Sequence, residues 1–263
     1  MTGTLAEAMR DIREGLRLYR LWVALAREDI GDQHRRTTLG PLWLLVNYLA
    51  LAAAFVFVVG TSQGPRDAYA AYVAVGLLVF FYMMETLIQA VTLFEREQSF
   101  IKGTRLPLTV YVMRQAVQAA IRSGYAAIGC VLILVVVGWD PTPGWPLAFV
   151  GILIVLAATP PAITVFAFIG AYIPDSQFVV ANAMRIAMFL TPVFWGFGSI
   201  EGVQAAFHAW NPFTYFVEIV RVPILEGTLP ADALAVSLAV TAGLSVCALV
   251  LLGRLRRHLV FVL

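Results

Sequence analysis

A chain of 263 residues that is 60% hydrophobic and 13% charged is too apolar for a water-soluble globule, in which about a quarter of residues carry charge. Its net charge of +2 decides little, and the placement of the charges decides more. The only lysine is Lys102, and there is no GxxxxGK[ST] loop to cradle a nucleotide's phosphates, so an ATP-driven role requires a second polypeptide.

The first element in chain order is amphipathic. Leu5, Met9, Ile12, Leu16, Tyr19 and Val23 fall on one helical stripe. Arg10, Arg13, Arg17 and Arg20 flank it on one edge, with Glu7, Asp11 and Glu14 on the other. This predicts a helix in the membrane interface with its cations at the lipid phosphates; a helix packed on a soluble partner is the other reading, and both can hold together. The first 20 residues hold no apolar stretch of the signal-peptide kind, so insertion is expected to be driven by internal spans.

Six apolar runs follow, at 41–60, 69–94, 110–138, 147–172, 178–197 and 231–252, each near the 20 or so residues a helix needs to cross a bilayer. The arginines sort to one side. Arg10 to Arg36 precede the first run, Arg96, Lys102 and Arg105 lie between the second and third, and Arg254, Arg256 and Arg257 follow the last. The other side has Arg66 and Arg221. Both termini are therefore expected to be cytoplasmic. The dense charge of QHRRTTLGPLWLL (33–45) holds the start of the first span among headgroups. The expected organisation is a cytoplasmic interface segment at 1–40, a six-helix membrane domain at 41–252 and a basic tail at 253–263.

Several residues inside the spans ask for a role. Glu85 in the second run stands at a depth bracketed by Arg114 and Arg122 in the third, which predicts an intramembrane ion pair; a proton relay would require more acids in series. Arg185 and Asn182 lie one turn apart in the fifth run and Asn47 lies in the first. If these two spans face a polar conduit, Arg185 could meet a cargo phosphate; snorkelling or pairing with Glu85 are its alternatives. Aromatics concentrate in the same two spans: Trp43, Tyr48, Phe55 and Phe57, then Phe189, Phe194, Trp195 and Phe197. An interfacial belt accounts for such a set, and a glycan path with stacking faces does so as well.

Two segments outside the spans are patterned. Residues 95–107 carry a short charged helix with Phe100 and Ile101 as anchors, suited to docking in a partner's groove. Residues 198–230 hold SIEGVQAAFHAW and NPFTYFVEIVRVPILEG. Asn-Pro starts a helix, Phe213, Phe216, Ile219 and Val220 line one face, Glu218 and Arg221 stand at i and i+3, and Pro223 kinks or ends it. Two half-length helices predict a re-entrant hairpin on the outer face, bordering a cavity.

Catalytic chemistry finds little support. His34, His208 and His258 are scattered, and no HExxH, GxSxG or paired-carboxylate motif occurs. Glu201, His208, Glu218 and Glu226 are the outer-side candidates for a lipid-sugar enzyme. Cys130 and Cys247 lie in apolar runs without metal-ligand spacing and read as small buried hydrophobes. No metal site, cofactor site or nucleic-acid surface is expected.

Taken in order, AREDIGDQHRRTTLGPLW, FIKGTRLPLTVYVMR, FLTPVFW and WNPFTYFVEIVRVPILEG resemble the transmembrane permease subunits of type-two ABC exporters, and among them those of polysaccharide export, such as O-antigen, capsule, and teichoic-acid or polyol-phosphate exporters. The resemblance covers essentially the whole chain; the segment IPDSQ, with Asp175 alone where relatives often set Arg beside Asp, departs from it. It implies an all-α subunit of six helices in the inner membrane, paired as a homodimer on two ATPase subunits that carry ATP and Mg. It implies a coupling helix at Glu95, Arg96, Glu97, Gln98, Ser99, Phe100, Ile101 and Lys102. It further implies a conduit lined by spans one and five, hence Trp43, Asn47, Tyr48, Phe55, Asn182, Arg185, Phe189, Phe194 and Trp195. The outer gate would hold Asn211, Pro212, Phe213, Tyr215, Glu218 and Arg221. A drug or small-lipid exporter of the same architecture, a membrane enzyme and a pure scaffold are the rival readings.

Overall fold

The computed structural model describes residues 2–35, 37–60, 65–104, 106–196 and 202–263, without the side chains of 2–4, 34, 59 and 260. Arg36, Arg105, Phe197 and Glu201, singled out above, lie outside the described residues. Among the described residues every element is helical. The order is α1 (Thr2–Arg17), α2 (Tyr19–His34), α3 (Leu42–Val59), α4 (Arg66–Val91), the short α5 (Leu93–Arg96) and α6 (Gln98–Gly103), and α7 (Leu108–Val136). A 3₁₀ turn at Trp145–Leu147 leads into α8 (Ala148–Tyr172), followed by α9 (Ser176–Leu190), α10 (Val203–Trp210), α11 (Pro212–Glu226) and α12 (Ala231–Val262).

Four helices have the length and apolar composition to cross a membrane: α4, α7, α8 with its leading turn, and α12. The six expected spans thus divide. α3 and α9 are apolar but have 18 and 15 residues, and a 15-residue helix is about 22 Å long against a hydrocarbon core of about 30 Å. The expected fifth span, 178–197, stops early for a local reason. Thr191 precedes Pro192, a position biased to extended backbone, and it adopts φ −86°, ψ 137°.

α4 is the hub. It packs against α3, α7, α8, α9 and α11, and Tyr69, Val73, Leu77 and Phe80 are fully buried, as expected of a helix that is apolar all round. α8 packs against α4 on one side and α11 and α12 on others. A Cβ at Gly170 would stand 1.7 Å from the carbonyl oxygen of Val91, so glycine lets α8 and α4 touch backbone to backbone.

The N-terminal stripe is divided between two helices. Leu18, at φ −85°, ψ 29°, interrupts the helix, and the Trp22 indole donates to the Gly15 carbonyl across the break at 3.2 Å. α1 buries Ala8 and Asp11 and packs on α7 and α12, while Leu5, Met9, Leu16 and Tyr19 stay exposed. α12 runs unbroken through the basic tail. α11 continues past Pro223 and ends where Gly227 takes the left-handed conformation, φ 76°, which glycine adopts without penalty.

Candidate functional site

The two ends of the bundle are built differently. At the end where α4 begins, the segment 192–196 follows α9 without continuing the helix, and its carbonyls need donors. Tyr69 Oη donates to the Phe194 carbonyl at 2.7 Å. The Tyr72 hydroxyl stands 3.1 Å from both the Pro192 and the Trp195 carbonyls. Arg221 Nη1 donates to the Pro192 carbonyl at 2.6 Å. The Arg221 guanidinium is buried and lies 3.8 Å from the centre of the Tyr72 ring, a desolvated cation–π contact. The indole of Trp195 donates to the Phe189 carbonyl at 2.8 Å. An irregular segment is thereby clasped by side chains of α4 and α11.

The helix pair α10–α11 closes this end. Asn211 Oδ1 accepts from the Phe213 amide at 3.0 Å, with Pro212 at the first helical position, a standard helix start. Asn211 Nδ2 also donates to Thr191 Oγ1 at 2.7 Å, and Phe213 meets Phe80 edge to face. Tyr215 Oη donates to the Ala209 carbonyl at 2.7 Å. Glu218 and Arg221 share a side of α11 but do not bond. Glu218 Oε1 stands 2.5 Å from His208 Nε2, while Arg221 is drawn to the acceptors that the broken α9 leaves bare.

Of the expected conduit residues, part converge. Phe55 stacks on Phe194 with centroids 4.8 Å apart, and Phe189 meets Phe194 edge-on at 5.7 Å. Trp43 and Asn47 are exposed on α3, and Asn182 and Arg185 on α9. Arg185 Nη1 donates to Asn182 Oδ1 at 3.3 Å, so its partner is not Glu85. Tyr48 departs from the set: it is buried, and its hydroxyl donates to the Ala74 carbonyl of α4 at 2.6 Å.

The expected Glu85–Arg114–Arg122 cluster separates into two sites. The two arginines stand eight positions apart on α7, about 12 Å along the axis, too far to share one carboxylate. Arg122 Nε is 3.8 Å from Glu85 Oε2, and its Nη2 donates to Gln89 Oε1 at 2.7 Å. Arg114 faces α2 and α6 instead. It grips Asp29 through Nε and Nη2 at 2.6 and 2.7 Å, and Glu97 through Nη1 at 3.0 Å. The Gln118 amide also donates to Asp29.

This second site secures the segment expected to couple. Glu95, Arg96, Ser99, Phe100 and Lys102 are exposed, Phe100 at 60%, and Gln98 is part-buried. Glu97 and Ile101, one turn apart, face inward, Ile101 in a cluster with Phe94, Leu108 and Phe168. The paired anchors Phe100 and Ile101 therefore reduce to Phe100, because neighbours on a helix point about 100° apart. The side-chain amide of Gln98 donates to the Leu263 carbonyl. Nearby, buried Asp11 accepts from the Leu108 and Thr109 amides, both at 3.0 Å, and lies 3.0 Å from Arg256 Nε. A carboxylate from α1 thus caps α7, whose own preceding residue, Pro107, has no side-chain oxygen to do so. Glu7 pairs with Arg257.

Asp11, Asp29, Tyr69 and Tyr72 were not singled out as site residues by the sequence. Asp11 stood out only as one acid on an amphipathic edge. A Tyr at i and i+3 in an apolar run looks like packing until its acceptors are known.

The sequence profile of the ABC-2 type transporter family matches residues 19–225, more than half of the chain. The chain belongs to the ABC-2 type transporter family. It is a multi-pass membrane permease subunit of an ABC exporter, whose ATP hydrolysis resides on a separate partner subunit. The ABC-2 match runs from the first residue of α2 into the last turn of α11, with α1 and α12 on either side. No curated protein matches the chain.

Proposed function

We propose that this permease forms the channel of an exporter for lipid-linked polysaccharide of the O-antigen or capsule kind. It works as a homodimer on two ATP-binding subunits in the inner membrane, both termini cytoplasmic, with α3 and α9 as its first and fifth spans. The carrying observation is the uncovered side of α3 and α9. Asn47, Asn182 and Arg185 are exposed there, and the aromatic group Phe55, Phe189 and Phe194 joins the two helices. A second copy facing this side encloses a path with stacking faces for sugar rings and one cation for a phosphate. α1 and α2 lie at the cytoplasmic surface with the exposed apolar residues of α1 in lipid. Phe100 docks into the ATPase, and the α10–α11 pair, re-entrant from the outer face, gates the exit.

Deletion of the gene in its native host tests this reading. Loss of surface polysaccharide, with lipid-linked glycan accumulating inside and rescue by the intact gene, is the expected result; an unchanged cell surface refutes it. One observation favours a drug or small-lipid cargo: an apolar cavity of ≈ 220 Å³ between α4, α8, α11 and α12, lined by Met83, Phe166 and Phe216 among others. An unchanged surface with new sensitivity to apolar drugs would support that alternative.

A further inference from the structure

The cleft between α3, α4 and α7 holds a cation that the fold satisfies only in part. Its volume is ≈ 150 Å³, roughly ten times the ≈ 10–15 Å³ one water requires. Asn47, Glu85, Arg122 and Ser123 form its polar wall, and Leu51 and Phe81 stand among its apolar residues. Arg122 is 7% exposed and donates a single hydrogen bond, to Gln89. Its Nε and Nη1 have no hydrogen-bond partner among the described residues. Glu85, at 3.8 Å, is beyond hydrogen-bonding distance, and half of its side chain is exposed.

Arg114, on the same helix, has Nε, Nη1 and Nη2 all matched to carboxylates. The contrast shows that α7 can match all three nitrogens of a partly buried guanidinium when the ligand is protein. A buried guanidinium with idle donors is costly unless an acceptor arrives. The acceptor must fit a site that is polar on one wall and apolar on the other. Neighbouring Glu85 further requires that the ligand bring a hydroxyl or an amine beside its anion.

We propose that this cleft binds the phosphate-bearing headgroup of a membrane lipid. The phosphate meets Arg122, the headgroup hydroxyl or amine meets Glu85 and Asn47, and the chains run along Leu51 and Phe81. The depth agrees. Arg122 lies one turn beyond Gln118, which bonds Asp29 of α2, so the cleft opens just inside the level of α2. This inference rests on the reading of α1 and α2 as membrane-surface helices.

The test is lipid retention by the full-length chain. It is reconstituted in nanodiscs, released into detergent and weighed by native mass spectrometry. The probes are phosphatidylethanolamine, phosphatidylglycerol, a polyprenyl-diphosphate-linked glycan and phosphate-free monoglucosyldiacylglycerol. The wild type should keep about one phosphate-bearing lipid per chain, at least tenfold over the phosphate-free one. Arg122→Gln should lose it, Arg122→Lys should keep part of it, and exposed Arg254→Gln should not change it. Ser123→Leu, which fills the cleft and leaves the arginine in place, should also lose it and stands in if Arg122→Gln fails to fold. A polyprenyl lipid that displaces the phospholipid makes the cleft a cargo site; a phospholipid that stays makes it a resident-lipid site. Equal retention of the phosphate-free lipid, or undiminished retention by the folded Arg122→Gln or Ser123→Leu protein, overturns the proposal. No ATPase or export is measured, so a failed polysaccharide reading would leave this result standing.

Discussion

The two ends of the helical bundle solve the same problem, irregular backbone among apolar helices, by opposite means. Where α4 begins, carbonyls of 192–196 are held by tyrosine hydroxyls and one buried arginine, donors that reach backbone acceptors. Where the chain termini gather, α1, α2, α6, α7 and α12 are held by carboxylates on guanidinium groups and on the amides that start α7. The first kind of contact is insensitive to salt and changes only if the segment itself moves. The second is charge on charge, partly wetted, and can be exchanged for another charged partner. The exchangeable end is the one that carries exposed Phe100, the residue proposed above to dock into the ATPase.

That contrast can be broken most severely at Arg221. Arg221→Met should cost about 3–5 kcal/mol, since it removes both a charge-assisted hydrogen bond to the buried Pro192 carbonyl and a desolvated cation–π contact with Tyr72, and the loss of thermal stability in detergent should be the same in low and high salt. Asp11→Ala should come next, at about 2–4 kcal/mol, because it uncaps α7 and strands Arg256; limited proteolysis should release α1 first. Arg114→Gln, at about 1–3 kcal/mol, should erase a salt dependence of melting that the wild type shows. A double-mutant cycle with Asp29→Asn should reveal coupling between the two, and additivity would contradict the bidentate geometry. Tyr72→Phe should cost only about 1 kcal/mol, without altering the salt response. Phe100→Asp should leave melting within about 0.5 kcal/mol of wild type yet abolish assembly with the ATPase or its coupling; a fully coupled complex would remove the docking role.

Legibility followed the range of the interactions. The membrane class, the apolar runs and the helix start at Asn211–Pro212 were readable because each rests on a local period or a neighbouring residue. The early end of α9 was written in Thr191–Pro192, but composition masked it: the residues beyond are as apolar as those before. The arginines divided. Arg122 stands 3.8 Å from Glu85, as its depth suggested, whereas Arg114, bracketed with the same acid, found Asp29, 85 positions away, and Arg221, three positions from Glu218, found a carbonyl. Tyr48, expected on the open side of α3, turned to α4 because Ala74 offered an acceptor there.

Sequence by itself determined that this chain is built of membrane-length apolar runs, where its arginines fall between them, and that an ATP-driven role would require a second polypeptide, since those follow from hydropathy, charge placement and a missing phosphate loop. Tertiary structure alone decided which donors meet which acceptors: the clasp on 192–196, the carboxylate that caps α7 from another helix, and the guanidinium left partly unmatched in its cleft. Hydrophobic periodicity fixes which side of a helix turns inward, but a hydrogen bond needs its partner within about 3 Å, and that distance is set only when distant helices have packed.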